Sequence, residues 1–164
     1  MDIIIRKGRQ EDLPSILALI KELALYEKAP AEVSVTLSDM EEWGFGDTPI
    51  FEFYVAIAEE KIVGMALCYY KYSTWKGKCL FLEDIIVTEA FRQQGIGKRL
   101  FREVVLLAKQ TKVRRLEWQV LDWNQPAIEF YKRFNAILDP EWINCKLTEE
   151  QIIAFPDDLI WQGI

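Results

Sequence analysis

Apolar residues recur along this chain with two distinct periods. Leu13, Ile16, Leu17, Ile20 and Leu23 or Ala24 fall three or four apart, which predicts a helix over 11–26 with one buried face. The same spacing at Leu100, Val104, Leu107 and Ala108 predicts a helix over 97–110. A short helix is expected over 36–43, with Ser38-x-x-Glu41 reading as a capping box and Gly44 and Gly46 ending it. Another is expected over 126–134, where Pro126 suits a first turn. Dense or alternating apolar runs predict strands at 3–6, 51–58, 62–70, 80–88, 115–121 and 141–147, with a tight turn at Glu59-Glu60-Lys61. Thr148-x-x-Gln151 would cap a short C-terminal helix that stops before Pro156. The order β-α-α-β-β-β-α-β-α-β predicts an α/β fold, a mixed sheet with helices on both sides.

Composition narrows the chemistry. The 164 residues, 51% hydrophobic and 28% charged, fit one soluble domain spanning 1–164. No apolar run approaches the roughly 20 residues of a membrane span, and no export signal is recognisable, so a cytoplasmic protein is expected. Cys68, Cys79 and Cys145 are odd in number and form no C-x-x-C, which argues against a disulfide framework or a zinc knuckle. The chain has no histidine, which removes Ser-His-Asp and Cys-His catalysis and most zinc sites. Proton transfer is left to carboxylates, Tyr, Lys, Cys or water.

The net charge of -6 is segregated. Residues 29–60 hold eight carboxylates and no Lys or Arg, while 92–115 hold eight basic residues and one acid, Glu103. An acidic half attracts cations and a basic segment attracts phosphates; two solvated faces without partners are the plainer alternative. A nucleic-acid partner is disfavoured by the overall negative charge.

Two segments carry chemistry. Arg92-Gln93-Gln94-Gly95-Ile96-Gly97-Lys98 lies between a buried strand and an amphipathic helix, where backbone N–H groups and the helix N-terminus can converge on an anion. Arg92 stands at the first Gly of a P-loop, Arg99 at its Ser/Thr, and Leu100 at the third Gly of a dinucleotide fingerprint, so it is neither. Glu83-Asp84 sits in an apolar strand. Consecutive side chains point to opposite faces, so at least one carboxylate should enter the interior or a cleft.

The glycine loop resembles the pyrophosphate loop of the GCN5-related N-acetyltransferases, R/Q-x-x-G-x-G/A. Three further segments resemble the spermidine/spermine N-acetyltransferase family: 20–27 (IKELALYE), 82–87 (LEDIIV) and 123–133 (WNQPAIEFYKR). The similarity runs from about Ile3 to Leu147. It implies the GCN5-related fold, a mostly antiparallel mixed sheet whose central strands splay. It also implies acetyl-CoA as cosubstrate, no metal, and a homodimer. The backbone of Ile85, Ile86 and Val87 would hold the pantetheine arm and thioester carbonyl. Gln93, Gln94, Gly95, Ile96, Gly97 and Lys98 would hold the pyrophosphate, and Asn124, Gln125, Pro126 and Ala127 would line the cofactor elsewhere. Tyr131 matches the family's general acid. Glu83 matches the family carboxylate that helps accept the amine's proton, through water. Tyr26, Glu27, Glu83, Glu117, Trp118 and Gln119 match substrate positions.

One departure bears on the substrate. Polyamine-acetylating members carry an Asp before the Trp where this chain has Ser73 in 72–77 (YSTWKG). That stretch and 120–125 (VLDWNQ) look more like the thialysine N-ε-acetyltransferase branch. Asn135 also replaces a glycine usual after the Tyr helix, which suits a left-handed residue. The expected activity is direct acetyl transfer to a small cationic amine, a thialysine- or lysine-like amino acid or a diamine. A polyamine or peptide acetyltransferase and a non-catalytic acyl-CoA-binding regulatory module are the alternatives.

Overall fold

The two periods resolve into strands and helices in a computed structural model, which describes residues 2–156. Two compact units make up the chain, residues 1–119 and 120–164. The first contains β1 (Ile3–Lys7), α1 (Leu13–Tyr26), α2 (Leu37–Phe45), β2 (Glu52–Ala58), β3 (Lys61–Ser73), β4 (Gly77–Val87), α3 (Ile96–Gln110) and β5 (Leu116–Glu117). The sheet order is β1-β2-β3-β4-β5; the first three pairings are antiparallel and β4–β5 is parallel.

Alternation along the strands separates two apolar faces. Phe53, Val55, Met65, Leu67 and Ile86 form one core cluster with Leu13, Ile16 and Leu19 of α1 and Met40 of α2. The opposite face is covered by α3, which packs on β2, β3 and β4 and buries Ile96, Leu100, Phe101, Val104, Leu107 and Ala108. A Cβ added at Gly64 would lie 3.3 Å from Leu100 Cδ1 and 2.8 Å from the Ile86 carbonyl oxygen, so the close approach there requires glycine.

Local polar chemistry fixes the helix starts. Asp12, 5% exposed, takes a two-pronged contact from Arg6, Nη1–Oδ2 at 2.7 Å and Nη2–Oδ1 at 2.8 Å, and also accepts from Arg9 N at 2.8 Å. The Arg6 hydrogen bonds hold the Asp12 carboxyl below its ordinary pKa, and the pair ties β1 to the entry of α1. The cap of α2 falls two residues before the expected one: Thr36 and Asp39 exchange the reciprocal bonds, Thr36 Oγ1 accepting from Asp39 N at 3.2 Å and Asp39 Oδ2 from Thr36 N at 2.8 Å.

The strand expected over 115–121 pairs with β4 only at Leu80↔Leu116 and Phe81↔Glu117. In the second unit, α4 (Gln125–Lys132) and α5 (Glu149–Ile153) form where predicted, α5 behind the Thr148–Gln151 capping box. The strand expected over 141–147 does not form. Its backbone has no ladder partner among the described residues, and Trp142, Ile143 and Leu147 are exposed. Alternation alone does not make a strand without a neighbour to satisfy its amides. Asn135 adopts the left-handed conformation its sequence position suggested, at φ 56°.

Ser73 closes the β3–β4 hairpin. Its Oγ accepts from Trp75 N at 3.3 Å and Lys76 N at 3.2 Å, and Gly77 follows at φ 78°. It pairs with Gly77, seven residues along β4 from Asp84; at about 3.3 Å per residue that is roughly 20 Å. Within one chain Ser73 therefore shapes a turn at the far end of β4 from Glu83 and Asp84.

The β2–β3 turn carries strain. Glu59 (φ 50°) and Glu60 (φ 61°) are both left-handed in a two-residue loop between the paired Ala58 and Lys61, the arrangement that Asn-Gly fits best. Replacing Glu59-Glu60 with Asn-Gly should stabilise the fold by about 1–2 kcal/mol. Urea unfolding checks this; a midpoint that falls or stays fixed would show that the turn is unstrained.

Candidate active site

The site begins where β4 loses one neighbour. β4 leaves β5 after Phe81, and two residues further on its register with β3 shifts: Cys68 pairs with Leu82 but Leu67 pairs with Asp84. Glu83 is the extra residue of this bulge, which re-aims the side chains around it. Asp84 thereby joins Leu67 and Ile86 on the face covered by α1, while Glu83 is exposed. The sequence pair correctly required one carboxylate to turn inward; the bulge makes it Asp84.

Burial first, then the charges of Glu83 and Glu27, push the Asp84 carboxyl up to about 6. Glu27, at the C-cap of α1, is half-buried and raised by that burial. Tyr69, two residues from Leu67, has its phenol raised by burial, by the Glu83 charge and by a hydrogen bond with Glu83. Glu27, Glu83 and Asp84 thus form one acidic locality at the end of α1.

On the far side of β4 lies the glycine loop. Gln93 (φ 63°) and Gly95 (φ 77°) are both left-handed; Gly95 suits that conformation, and a Cβ there would meet nothing within 4 Å. Gly95 is the N-cap of α3, has no side-chain cap, and its carbonyl accepts the first helical bond from Arg99 N. The N–H groups of Ile96, Gly97 and Lys98 precede that bond and lie at the positive end of a 15-residue helix. Gln93, Gln94, Gly95 and Lys98 are exposed and Ile96 is buried as the loop's anchor. This is a backbone anion cradle with a lysine beside it.

Ile85, Ile86 and Val87 occupy the part of β4 beyond its last β5 pair, with Ile86 buried. Val87 O already accepts from Arg92 Nε at 2.8 Å, leaving that carbonyl engaged within the chain. Tyr26 lies under the Arg92 guanidinium, 5.1 Å from ring centroid to Cζ. Glu117 shares the sheet with this region, but its Oε2 is already 3.1 Å from Lys71 Nζ and 3.2 Å from Arg115 Nε. Both are charge contacts without hydrogen-bond geometry. Trp118 packs edge-on against Phe101 at 5.5 Å, and Gln119 is exposed.

In the second unit, Asn124 caps α4 through Oδ1, which accepts from Ala127 N at 3.3 Å, while Gln125 Nε2 donates to Asp122 O and Pro126 occupies the first turn. Tyr131 is 5% exposed and stacks edge-on with Phe130 at 5.2 Å. Asp84, Tyr69 and Arg92 are the site residues that sequence reasoning did not select. The acidic pair signalled Asp84, the loop motif contained Arg92, and nothing in the sequence marked Tyr69.

A splayed β4, a glycine loop and a long helix N-terminus define an acetyltransferase fold, and comparison with known proteins agrees. Residues 14–136 match the Acetyltransferase (GNAT) family, and the chain belongs to it. The thialysine N-epsilon-acetyltransferase of Bos taurus is 38% identical over 142 residues, covering 82% of this chain and 84% of that protein. The human spermidine/spermine N(1)-acetyltransferase-like protein 1 is 33% identical over 168 residues, 96% of this chain and 24% of that longer protein. The crystal structure of an aminoglycoside acetyltransferase, meta-AAC0020, from an uncultured soil metagenomic sample superposes with TM-score 0.74 at 19% identity, covering 89% of this chain and 95% of that one. That last likeness is one of fold. The protein is an N-acetyltransferase with the sequence character of the spermidine/spermine family and its thialysine branch.

Asp84 makes stability fall with rising pH. Its folded pKa of about 6 lies above the ordinary 3.8, so between those values the folded chain holds a proton that the unfolded chain releases. Stability is greatest below that window, declines through it, and stays lower above. Asp84→Asn should therefore melt higher than the unmodified protein at pH 8 and close to it at pH 4. A difference independent of pH would show that Asp84 ionises freely in the fold.

Proposed function

We propose that this enzyme transfers an acetyl group from acetyl-coenzyme A directly to the side-chain amine of a small cation, a thialysine- or lysine-like amino acid or a short diamine. The observation that carries the substrate reading is Asp84, half-buried between the charges of Glu27 and Glu83 beside the point where β4 and β5 part. Three carboxylates with no ion-pair partner among the described residues favour an ammonium ligand. The thialysine-named relatives support the amino acid over the polyamine, and the cradle at the start of α3 fits a pyrophosphate.

Acetyl-CoA, when bound, supplies the thioester whose carbonyl carbon the amine attacks. The chain's residues then have defined tasks. The amides of Ile96, Gly97 and Lys98 take phosphate charge, and the freed backbone of β4 at Ile85 and Ile86 runs alongside an extended arm. Glu83 and Asp84 hold the ammonium and receive its proton, directly or through water. Tyr131 gives its phenolic proton to the departing sulfur. The two units belong to one acetyltransferase domain in this reading, which the family match across both of them supports. A homodimer and a cytoplasmic location complete it; among the described residues no helix is long and apolar enough to cross a membrane.

A screen of amines with acetyl-CoA, reading thiol release, tests the proposal directly. Thialysine, lysine-like amino acids or short diamines should show higher kcat/KM than spermidine or spermine; spermidine as the best substrate would replace this reading with the polyamine one. No turnover with any amine, together with intact CoA binding, would favour a regulatory module.

The roles separate by variant. CoA should raise the melting temperature, and Gly97→Glu should shrink that gain by placing a carboxylate at the cradle. Tyr131→Phe should keep the CoA-induced gain yet lower kcat at least about tenfold. Full turnover in Tyr131→Phe would make the phenol a packing group.

A further inference from the structure

Arg92 opens the glycine loop, where a cation would ordinarily be taken for a phosphate ligand. Its side chain instead turns back toward the first helix. Nε donates to Val87 O at 2.8 Å, Nη2 lies 4.0 Å from Glu22 Oε1, and the guanidinium carbon lies 5.1 Å from the Tyr26 ring centroid. Glu22 grips the same joint from the α1 side. Its Oε2 accepts from Thr88 Oγ1 at 3.0 Å and its Oε1 from Glu89 N at 3.3 Å. The end of β4, the short turn after it and the last turns of α1 are thereby fastened together, although more than 60 residues separate them in sequence.

None of these contacts is strong alone. Arg92 and Glu22 are each about one-third exposed, and an ion pair at 4.0 Å in that setting contributes little by itself. What distinguishes the arrangement is geometry. A planar guanidinium can donate in its plane to a carbonyl, approach a carboxylate with another nitrogen, and lay its face on a ring. A lysine ammonium is a point charge and cannot meet all three partners at once.

We propose that Arg92 is a positioning residue for the amine side of the site, setting Tyr26 and Glu27 at the end of α1 against the joint between β4 and the anion loop. This rests on the reading of that helix end as the place where the amine binds. The brace makes the loop and the helix end one mechanical element. A phosphate that restrains the loop also restrains the turn carrying Glu27, so cofactor binding and order at the amine side are linked.

The test uses the full chain carrying Arg92→Lys, which keeps the charge and removes the fork. Two readouts are independent of turnover: CoA affinity by calorimetry, and hydrogen exchange at the amides of Glu27, Lys28 and Ala29, which bond to the carbonyls of Leu23, Leu25 and Ala24. Exchange at these amides should accelerate about tenfold and the amine KM should rise about tenfold, while kcat and the CoA Kd change by less than about threefold. Glu22→Gln should move exchange and KM in the same direction by a smaller factor. A CoA Kd weakened about tenfold with exchange and amine KM unchanged would make Arg92 a phosphate ligand and end the proposal. No change in any readout would reduce the contacts to an ordinary surface pair and end it equally. If the unmodified protein acetylates no amine, the functional reading fails by itself, and the exchange rates still decide whether Arg92 holds the helix end.

Discussion

The structure depends on β4 having two neighbours for part of its length and one for the rest. At Leu80 and Phe81 it is an interior strand, paired on both sides. Beyond Phe81 its pairing with β5 ceases, and a strand with unpaired amides inside a protein requires another partner. The bulge at Glu83 falls directly after this parting. Each feature alone would be a local irregularity. Together they place two consecutive acids and a length of open backbone at one spot, with the end of α1 on one side and the start of α3 on the other. The inward acid and the open strand thus follow from one departure from regular pairing, while the cradle follows from the left-handed Gly95 that starts α3.

The helices and the antiparallel strands were legible because their signals are local. The stripe of α1, the stripe of α3 and the turn after Ala58 follow from spacing and need no knowledge of neighbours. What was not legible was pairing. Residues 115–121 and 141–147 have strand-like composition, yet two residues of the first pair with β4 and none of the second does so among the described residues. Pairing is a property of two segments, and one segment's pattern does not contain it. The site shows the same division. The glycine loop was visible because glycine at a left-handed N-cap is a local requirement. Which of Glu83 and Asp84 turns inward was not, because the bulge is defined only against Leu67 and Cys68 of the facing strand. The engagement of the Ser73 hydroxyl by two amides of its own turn was likewise not legible, because it depends on the hairpin's geometry.

Charge segregation is also divided by the fold. The acid-rich run from 29 to 60 suggested a cation-attracting region, but Glu32, Glu41, Glu42, Asp47, Glu59 and Glu60 are exposed, Asp39 caps α2, and Glu52 pairs with Lys7 at 2.6 Å. The acids of the site, Glu27, Glu83 and Asp84, lie outside that run. The basic run does reach the site, since Lys98 stands beside the cradle, while Arg92 at its head is turned to structural use. Under the proposed function the basic run reaches the phosphate side of the site, while the acids on the amine side come from elsewhere in the chain. An effective acidic site needs few carboxylates held out of water, and exposed ones contribute little at a distance in salt.

A half-buried Asp84 beside two other carboxylates is a poor choice for an empty fold. Its ionisation is opposed by burial and by both neighbours, so the free protein is less stable at neutral pH than it would be with an amide there. Under the proposed function the same features would make the position selective. An ammonium bound at this locality removes the repulsion among the three acids and restores the solvation that Asp84 has lost, so part of its binding energy comes from relief of a cost already present in the fold. A neutral ligand gains nothing from that relief. Charge selection therefore needs no tight pocket; it follows from keeping one carboxylate partly out of water until a cation arrives. Under the proposed function it would also join binding to chemistry, because a carboxylate whose pKa has been raised accepts an amine's proton more readily than an exposed one would.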